Sequence, residues 1–151
     1  MTTVVEPLQE GASLEKWRQA GKEKVIDELV TMLEQGYRIG NRTKLVNDFI
    51  NREKKATTGI GKGIAIPHIR SLQAKDLTLA FGRSRGGYDF EAIDNEPVHL
   101  FFVMAAPPYD DSLYLKVFKS LAEMLQYEPF REELMSITCA GEVIRAIRNM
   151  E

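Results

Sequence analysis

Two histidines carry most of the chemistry that this sequence could perform. They are His68 and His99, and the chain also has a single cysteine, Cys139. His68 follows a short apolar run and Pro67, whose ring fixes the local backbone, so we expect the imidazole to be held at the end of a strand. Such a histidine is either a nucleophile, base or ligand, or a surface-loop residue without a role. The spacing alone favours neither interpretation.

His99 lies inside an apolar run, between Val98 and Leu100. This setting favours a buried histidine that is hydrogen-bonded to a neighbour, or one that lines a site. A metal-dependent hydrolase that uses both histidines is a weak hypothesis, because the sequence has no pair of histidines at metal-ligand spacing and one cysteine excludes a cysteine-cluster zinc site. We therefore expect no metal.

A glycine-rich segment precedes His68. Gly59, Gly61 and Gly63 occupy alternate positions in it. The segment is not a Walker loop, and it is not a dinucleotide fingerprint because it comes before a predicted strand instead of after one. Such a turn usually serves backbone geometry alone, but its small residues would also let a phosphoryl group or another protein's backbone approach the histidine.

Arg52 is the cation that could assist a reacting phosphate. It lies at the charged end of a predicted helix, and an arginine there would neutralise charge and donate paired hydrogen bonds to phosphoryl oxygens. The alternative is a solvated arginine that pairs with Asp48 or Glu53. Sequence alone favours this alternative, since charges at helix ends are common.

The composition indicates one domain of ordinary size. The chain has 151 residues, of which 44% are apolar and 28% charged, and 20 basic against 22 acidic residues. This balance argues against a broad nucleic-acid surface. The longest apolar run, residues 98–108, is shorter than the ~20 residues that span a bilayer. Because the N-terminus also lacks the pattern of a secretory signal, we expect a cytoplasmic protein without membrane insertion.

Helical and strand periodicities alternate along the chain. Residues 1–12 are predicted to be weakly ordered, and residues 13–151 to form the domain. Helices are predicted near residues 21–36, 42–54, 112–126, 129–135 and 141–150. Strands are predicted at residues 64–67, 77–81 and 98–105, together with a turn at Gly86–Gly87 and a short strand or edge piece at residues 88–93. This alternation predicts an α/β fold: a single three-layer domain in which helices cover both faces of a mixed β-sheet.

The segment TGIGKGIAIPH, residues 58–68, resembles a known signature. It is similar to the phosphohistidine motif of the fructose/mannitol-type EIIA domains of the bacterial phosphoenolpyruvate-dependent phosphotransferase system, a family that includes the nitrogen-regulatory EIIA proteins. The resemblance extends to residues 51–53, 97–107 and 115–125, and runs from about residue 22 almost to the C-terminus.

The resemblance implies a function for His68. In this family the histidine accepts a phosphoryl group from the phosphocarrier HPr or its nitrogen-branch counterpart. It then passes the group to an EIIB domain, or its phosphorylation state regulates other proteins. Neither a metal nor a nucleotide cofactor is implied. A neutral imidazole suits this role, because it is a good nucleophile near pH 7.

The resemblance also implies roles for five other residues. Arg52 matches the arginine that contacts the phosphoryl oxygens, and Thr58, Gly59 and Gly61 are expected to add binding donors. Many members carry a second histidine in the first turn of the helix after the central strand, where this chain has Tyr114. A tyrosine can donate one hydrogen bond but is not a cation near pH 7.

Two functions follow from these residues. The main hypothesis is a phosphohistidine carrier. Since the chain ends at Glu151 without a membrane segment, we expect a separate, regulatory protein rather than part of a sugar permease. The alternative is a non-catalytic regulatory binding module with the same fold, in which the surface around His68 binds a partner regardless of phosphorylation.

Overall fold

The computed structural model describes residues 2–5, 22–34, 39–109, 111–137 and 140–150. Within them five helices are formed: α1 (Lys22–Glu34), α2 (Arg42–Lys55), α3 (Asp111–Met124), α4 (Glu128–Ser136) and α5 (Ala140–Met150). The described strands are β1 (Thr2–Val5), β2 (Gly59–Gly61), β3 (Ile64–Ala65), β4 (His68–Arg70), β5 (Thr78–Tyr88) and β6 (Val98–Ala106). No helix among the described residues is long and apolar enough to cross a membrane.

The described strands form one mixed sheet in the order β1-β5-β6-β3-β2, and β4 also pairs with β6. β1 runs parallel to β5, and β3 and β4 run parallel to β6, whereas β5 pairs with β6 and β2 with β3 in the antiparallel sense. The predicted mixed sheet is therefore confirmed. The sequence pattern does not predict β1, and the predicted domain boundary at residue 13 and helix end at Gly36 lie outside the described residues.

β6 divides the core into two layers. Successive side chains of a strand point to opposite faces of the sheet. Phe101 and Val103 accordingly belong to a cluster with apolar side chains of α1 and α2, whereas Phe102 and Met104 belong to a second cluster with side chains of α3, α4 and α5. Because both faces of the sheet are covered by helices, the three-layer α/β architecture expected from the sequence is confirmed.

Proline divides what would otherwise be one strand beside β6. Ile64 pairs with Leu100 and His68 pairs with Met104, so β3 and β4 follow β6 in a single register. Pro67 has no N–H group to donate to the ladder, which therefore breaks before it. The sequence predicts that His68 follows a strand; in the structure His68 instead begins the next short one.

The predicted turn at Gly86–Gly87 is wrong. β5 continues through both glycines to Tyr88. Its pairing register with β6 shifts between Arg83 and Tyr88, the segment that contains the glycines. Gly87 has φ +77°, and a Cβ there would lie 2.9 Å from His99 Cε1, so the position needs glycine for both reasons. Beyond Tyr88, residues 89–97 form no strand.

Candidate active site

His68 lies in a cavity between β4, the C-terminal end of α2 and the first half of α3. The cavity has a volume of about 650 Å³. Its lining residues are Arg52, His68, Ile69, Arg70, Pro108, Tyr114, Leu115 and Phe118. The charged side chains of this lining are both arginines, so the cavity presents positive charge and an imidazole on a mostly apolar wall.

The imidazole of His68 is fixed by the backbone. Its Nδ1 atom lies 2.6 Å from the carbonyl oxygen of Ile66. A carbonyl oxygen only accepts, so Nδ1 carries the proton and donates, and Nε2 keeps the lone pair. Pro67 lies between Ile66 and His68, and its ring restricts the backbone there, which keeps Nδ1 of His68 close to the Ile66 carbonyl. The arrangement leaves Nε2 as the nucleophilic nitrogen of the ring.

The protonation of His68 is set by burial and two neighbouring charges. Burial lowers the pKa of His68, and the hydrogen bond to Ile66 raises it. Smaller effects come from Arg52, whose positive charge lowers the pKa, and from Glu53, whose negative charge raises it. The net lowering keeps the imidazole neutral near pH 7, which is the state in which Nε2 can act as a nucleophile.

A chain of hydrogen bonds connects α2 to the histidine. The buried Glu53 carboxylate accepts from the backbone N–H of Thr58, at 3.2 Å, and from the Thr58 hydroxyl. The Thr58 carbonyl accepts from the N–H of Ile66 at 3.0 Å, and the Ile66 carbonyl accepts from His68. Glu53 therefore anchors the backbone segment that fixes the orientation of the imidazole.

Arg52 lies on the same cavity as His68. Its Nη1 atom donates to the carbonyl oxygen of Ala56, 2.9 Å away, just beyond the end of α2. The carboxylates that the sequence offers as alternative partners accept hydrogen bonds from other residues: Asp48 accepts from the Ser71 hydroxyl at 2.6 Å, and Glu53 accepts from Thr58. Arg52 and His68 line one cavity, and the positive charge of Arg52 acts on the imidazole.

Aromatic rings form one wall of the cavity. The ring of Phe118 lies 4.4 Å from that of His68, and the ring of Tyr114 lies 6.1 Å from it, measured between centroids. Both belong to α3, where residues four apart share one face. Burial raises the pKa of Tyr114, so its hydroxyl is neutral near pH 7. Tyr114 therefore lies beside His68, as expected for the residue that stands where many family members have a second histidine.

Thr58, Gly59 and Gly61 are not part of this lining. Both donors of Thr58 are directed to Glu53, and the N–H of Gly59 donates to the Thr57 hydroxyl at 3.1 Å. A Cβ on Gly61 would lie 3.2 Å from a carboxylate oxygen of Asp94. Thr58 is connected to His68 indirectly, because its carbonyl accepts from the N–H of Ile66, whose own carbonyl accepts from His68, whereas Gly59 and Gly61 belong to β2.

His99 occupies a different cavity, of about 360 Å³, between β6 and α4. Its Nδ1 atom lies 2.9 Å from the carbonyl oxygen of Ser84, which agrees with the expected hydrogen-bonded histidine. Glu128 and Glu132 line this cavity together with Lys62 and Arg131. Within the described ranges, no group of three or more His, Cys, Asp or Glu side chains is arranged to hold a metal ion.

Sequence reasoning missed Arg70. It lies two positions after His68 in β4, and residues two apart in a strand share one face. A strand of only three residues shows no periodicity from which β4, and with it Arg70, could be predicted. Pro67 instead predicts the end of a strand. The guanidinium carbon of Arg70 lies 5.4 Å from the centroid of the Tyr114 ring.

Comparison with known proteins agrees with the fold and the signature. Residues 14–150 match the family model described as "Phosphoenolpyruvate-dependent sugar phosphotransferase system, EIIA 2". The fructose-specific EIIABC component of Bacillus subtilis is 36% identical over 126 residues, which cover 83% of this chain and 20% of that longer protein. The fructose-specific EIIA component of Haloferax volcanii is 35% identical over 116 residues, which cover 77% of this chain and 75% of the relative.

A solved structure shows the same architecture. The crystal structure of the nitrogen regulatory protein IIA-Ntr from Neisseria meningitidis aligns with a TM-score of 0.78 at 27% identity, over 97% of this chain and 92% of that one. The fold and the matches define a phosphoryl carrier of the phosphotransferase system, fructose-type or nitrogen-regulatory. The chain belongs to the EIIA type 2 family.

Proposed function

We propose that His68 is the residue that carries the phosphoryl group. The observation that supports this most is the charge of the cavity, whose charged lining residues are Arg52 and Arg70; the hydrogen bond from Nδ1 to the Ile66 carbonyl leaves the Nε2 lone pair of His68 available there. Nε2 would attack the phosphorus of a phosphorylated donor, the bond between phosphorus and donor would break, and its electron pair would stay with the donor. Transfer onward would repeat the step with the acceptor as nucleophile.

Arg52 is proposed to stabilise the charge of the transferring group. Phosphoryl transfer needs in-line positioning and charge neutralisation more than covalent assistance. Arg52 is held at one end by the Ala56 carbonyl, and a guanidinium has five donors in a planar fork, so further N–H groups remain for phosphoryl oxygens. No metal or nucleotide cofactor enters this mechanism.

The proposed partners are an HPr-like donor and an EIIB domain or a regulatory protein as acceptor. Leu115, 59% exposed, lines the cavity; Leu72, 82% exposed, lines an adjoining cavity that shares Arg52 and Arg70 with it; and Tyr109, 82% exposed, follows Pro108 of the lining. Exposed apolar side chains around a polar centre are typical of protein-binding surfaces. A structural relative at 21% identity, enzyme IIA-Mtl of Escherichia coli, has been solved in complex with phosphorylated enzyme IIB-Mtl. A location in the cytoplasm remains a prediction from the sequence.

The test is phosphorylation with purified components. The protein is incubated with phosphoenolpyruvate, enzyme I and HPr, and its intact mass is measured before and after acid treatment. We expect one acid-labile phosphoryl group on the wild type and none on His68→Gln. His99→Gln is the matched control, because that histidine is also held through Nδ1 by a backbone carbonyl, and it should be labelled like the wild type. Full labelling of His68→Gln would refute the assignment.

A second experiment separates the carrier from a binding module that ignores phosphorylation. Candidate acceptors, EIIB domains among them, are captured with wild-type protein in both phosphorylation states and with His68→Ala and His68→Asp. A carrier should transfer its label to the acceptor and bind differently in the two states. A wild type that takes up no label and binds partners as well as His68→Ala and His68→Asp do would favour the module; so would a labelled wild type that binds equally in both states and transfers no label.

A further inference from the structure

The charge of a phosphorylated His68 exceeds what Arg52 alone supplies. A phosphoryl group carries about two negative charges near neutral pH. Arg52 offers one positive charge, and Tyr114, which occupies the position of the family's second histidine, is neutral because burial raises the pKa of its hydroxyl. A second cation close to His68 would complete the neutralisation.

Arg70 is placed to be that cation. It lines the same cavity as His68, Arg52 and Tyr114. His68 and Arg70 are the first and last residues of β4, so both side chains leave the same face of the strand. Arg70 is an exposed residue of this lining, so its guanidinium lies at the mouth of the cavity and not in its interior.

Tyr114 supplies a surface on which Arg70 rests. The guanidinium carbon lies 5.4 Å from the ring centroid, within the range of a cation–π interaction. The ring itself is fixed, since Tyr114 is only 6% exposed and packs in the core beneath α3. This contact depends on the face of the ring and not on the hydroxyl group.

We propose that Arg70 is a second phosphoryl-binding residue and that Tyr114 is a positioning residue, whose ring holds the guanidinium on the cavity that His68 lines. The proposal rests on the proposed role of His68. It gives the tyrosine a function different from that of a hydrogen-bond donor. The second positive charge of the site, beside that of Arg52 on α2, then comes from β4, two residues after the nucleophile, instead of from α3.

The test compares rates of phosphoryl transfer from HPr to a set of variants under single-turnover conditions. Arg70→Gln is expected to slow transfer about tenfold or more, the loss typical of one charge-assisted hydrogen bond. Arg70→Lys should recover part of the rate, since a lysine keeps the charge but not the planar fork. Arg145→Gln, which removes an exposed arginine of α5, is the control and should transfer at the wild-type rate.

Substitutions of Tyr114 distinguish the ring from the hydroxyl. Tyr114→Phe keeps the ring and should transfer within about twofold of the wild type, whereas Tyr114→Leu should lose nearly as much as Arg70→Gln. The double variant Tyr114→Leu/Arg70→Gln should be no slower than Arg70→Gln alone, because both changes remove one coupled interaction. Thermal unfolding of every variant checks that the fold is kept.

The outcomes separate this proposal from the role of His68. A wild-type rate for Arg70→Gln, while His68→Gln remains unlabelled, would overturn the second cation and leave the phosphoacceptor in place. Equal losses in Tyr114→Phe and Tyr114→Leu would show that the hydroxyl acts and would overturn the positioning role. Labelling of His68→Gln would instead refute the proposed function itself.

Discussion

The two histidines of this chain are held alike and surrounded differently. Each is half-buried in the sheet, and each has Nδ1 close to a backbone carbonyl, at 2.6 Å for His68 and 2.9 Å for His99. Each also shares its cavity with an arginine that donates to a carbonyl near a helix end: Arg52 to Ala56, and Arg131 to Leu125. The orientation of the imidazole therefore does not distinguish the two sites.

Their electrostatic surroundings do distinguish them. The charged residues lining the His68 cavity are Arg52 and Arg70, both cations, whereas around His99 the cations Lys62 and Arg131 are balanced by two glutamates. In addition, the backbone of Gly87 passes near Nε2 of His99, since a Cβ on Gly87 would lie 3.2 Å from this nitrogen. This difference in charge supports the proposal that the phosphoryl group is carried by His68 and not by His99.

The sharpest test of this contrast replaces the arginine of each cavity with glutamine in a separate variant. Arg52→Gln should slow transfer from HPr about 100-fold, because a donor aimed at developing charge is removed. Arg131→Gln removes the equivalent arginine of the other cavity and should leave the rate unchanged. Single-turnover transfer followed by intact mass measures both. Equal effects of the two variants would mean that the charge around His68 has no special role.

A second contrast concerns access by partners. Leu115 lines the His68 cavity and is exposed, so Leu115→Asp places a charge on the proposed docking surface. We expect the KM for HPr to rise about tenfold, since an apolar contact of the complex is lost, and kcat to fall by a smaller factor, since the new carboxylate lies on the cavity that holds the phosphoryl group. Tyr127 is also exposed but precedes α4 near the His99 cavity, and Tyr127→Asp, which adds a good helix N-cap residue, is the control.

The outcome for Leu115→Asp also decides whether docking occurs around His68. A change in KM of the same size in Tyr127→Asp would place the donor on a different surface. A change in kcat without a change in KM would mean that Leu115 affects the chemical step. Only a rise in KM confined to the His68 side supports the proposed interface.

The layers of the fold could be predicted from the sequence, because their signals are long. The continuous apolar run of β6 indicates burial on both faces, and α1, α3 and α4 have clear helical periodicity. β4 could not be predicted, since three residues after a proline show no periodicity and only pairing with β6 reveals them. The same short strand brings Arg70 to the site.

Proximity in sequence was a poor guide to the remaining site residues. Gly59 and Gly61 are closer to His68 along the chain than Tyr114 is, yet they lie in β2 and do not line its cavity, and Thr58 is connected to His68 through Ile66. The position of Tyr114 came from resemblance to a family. Its contact with Arg70, however, depends on how α3 crosses the end of β4, which no local pattern in the sequence specifies.

The smallest of the predicted effects concerns the protonation of His68. Arg52 lowers the pKa of His68 and Glu53 raises it, so Arg52→Gln should raise this pKa and Glu53→Gln should lower it. NMR titration of the ring protons measures the shifts, and the His99 signal serves as an internal control in the same spectra. Because only the neutral imidazole is a nucleophile, the acidic limb of the pH–rate profile should move in the same direction as the pKa. Shifts of equal size at His99, or a Glu53→Gln variant whose His68 pKa rises, would show that the two charges do not act on His68 as the geometry indicates.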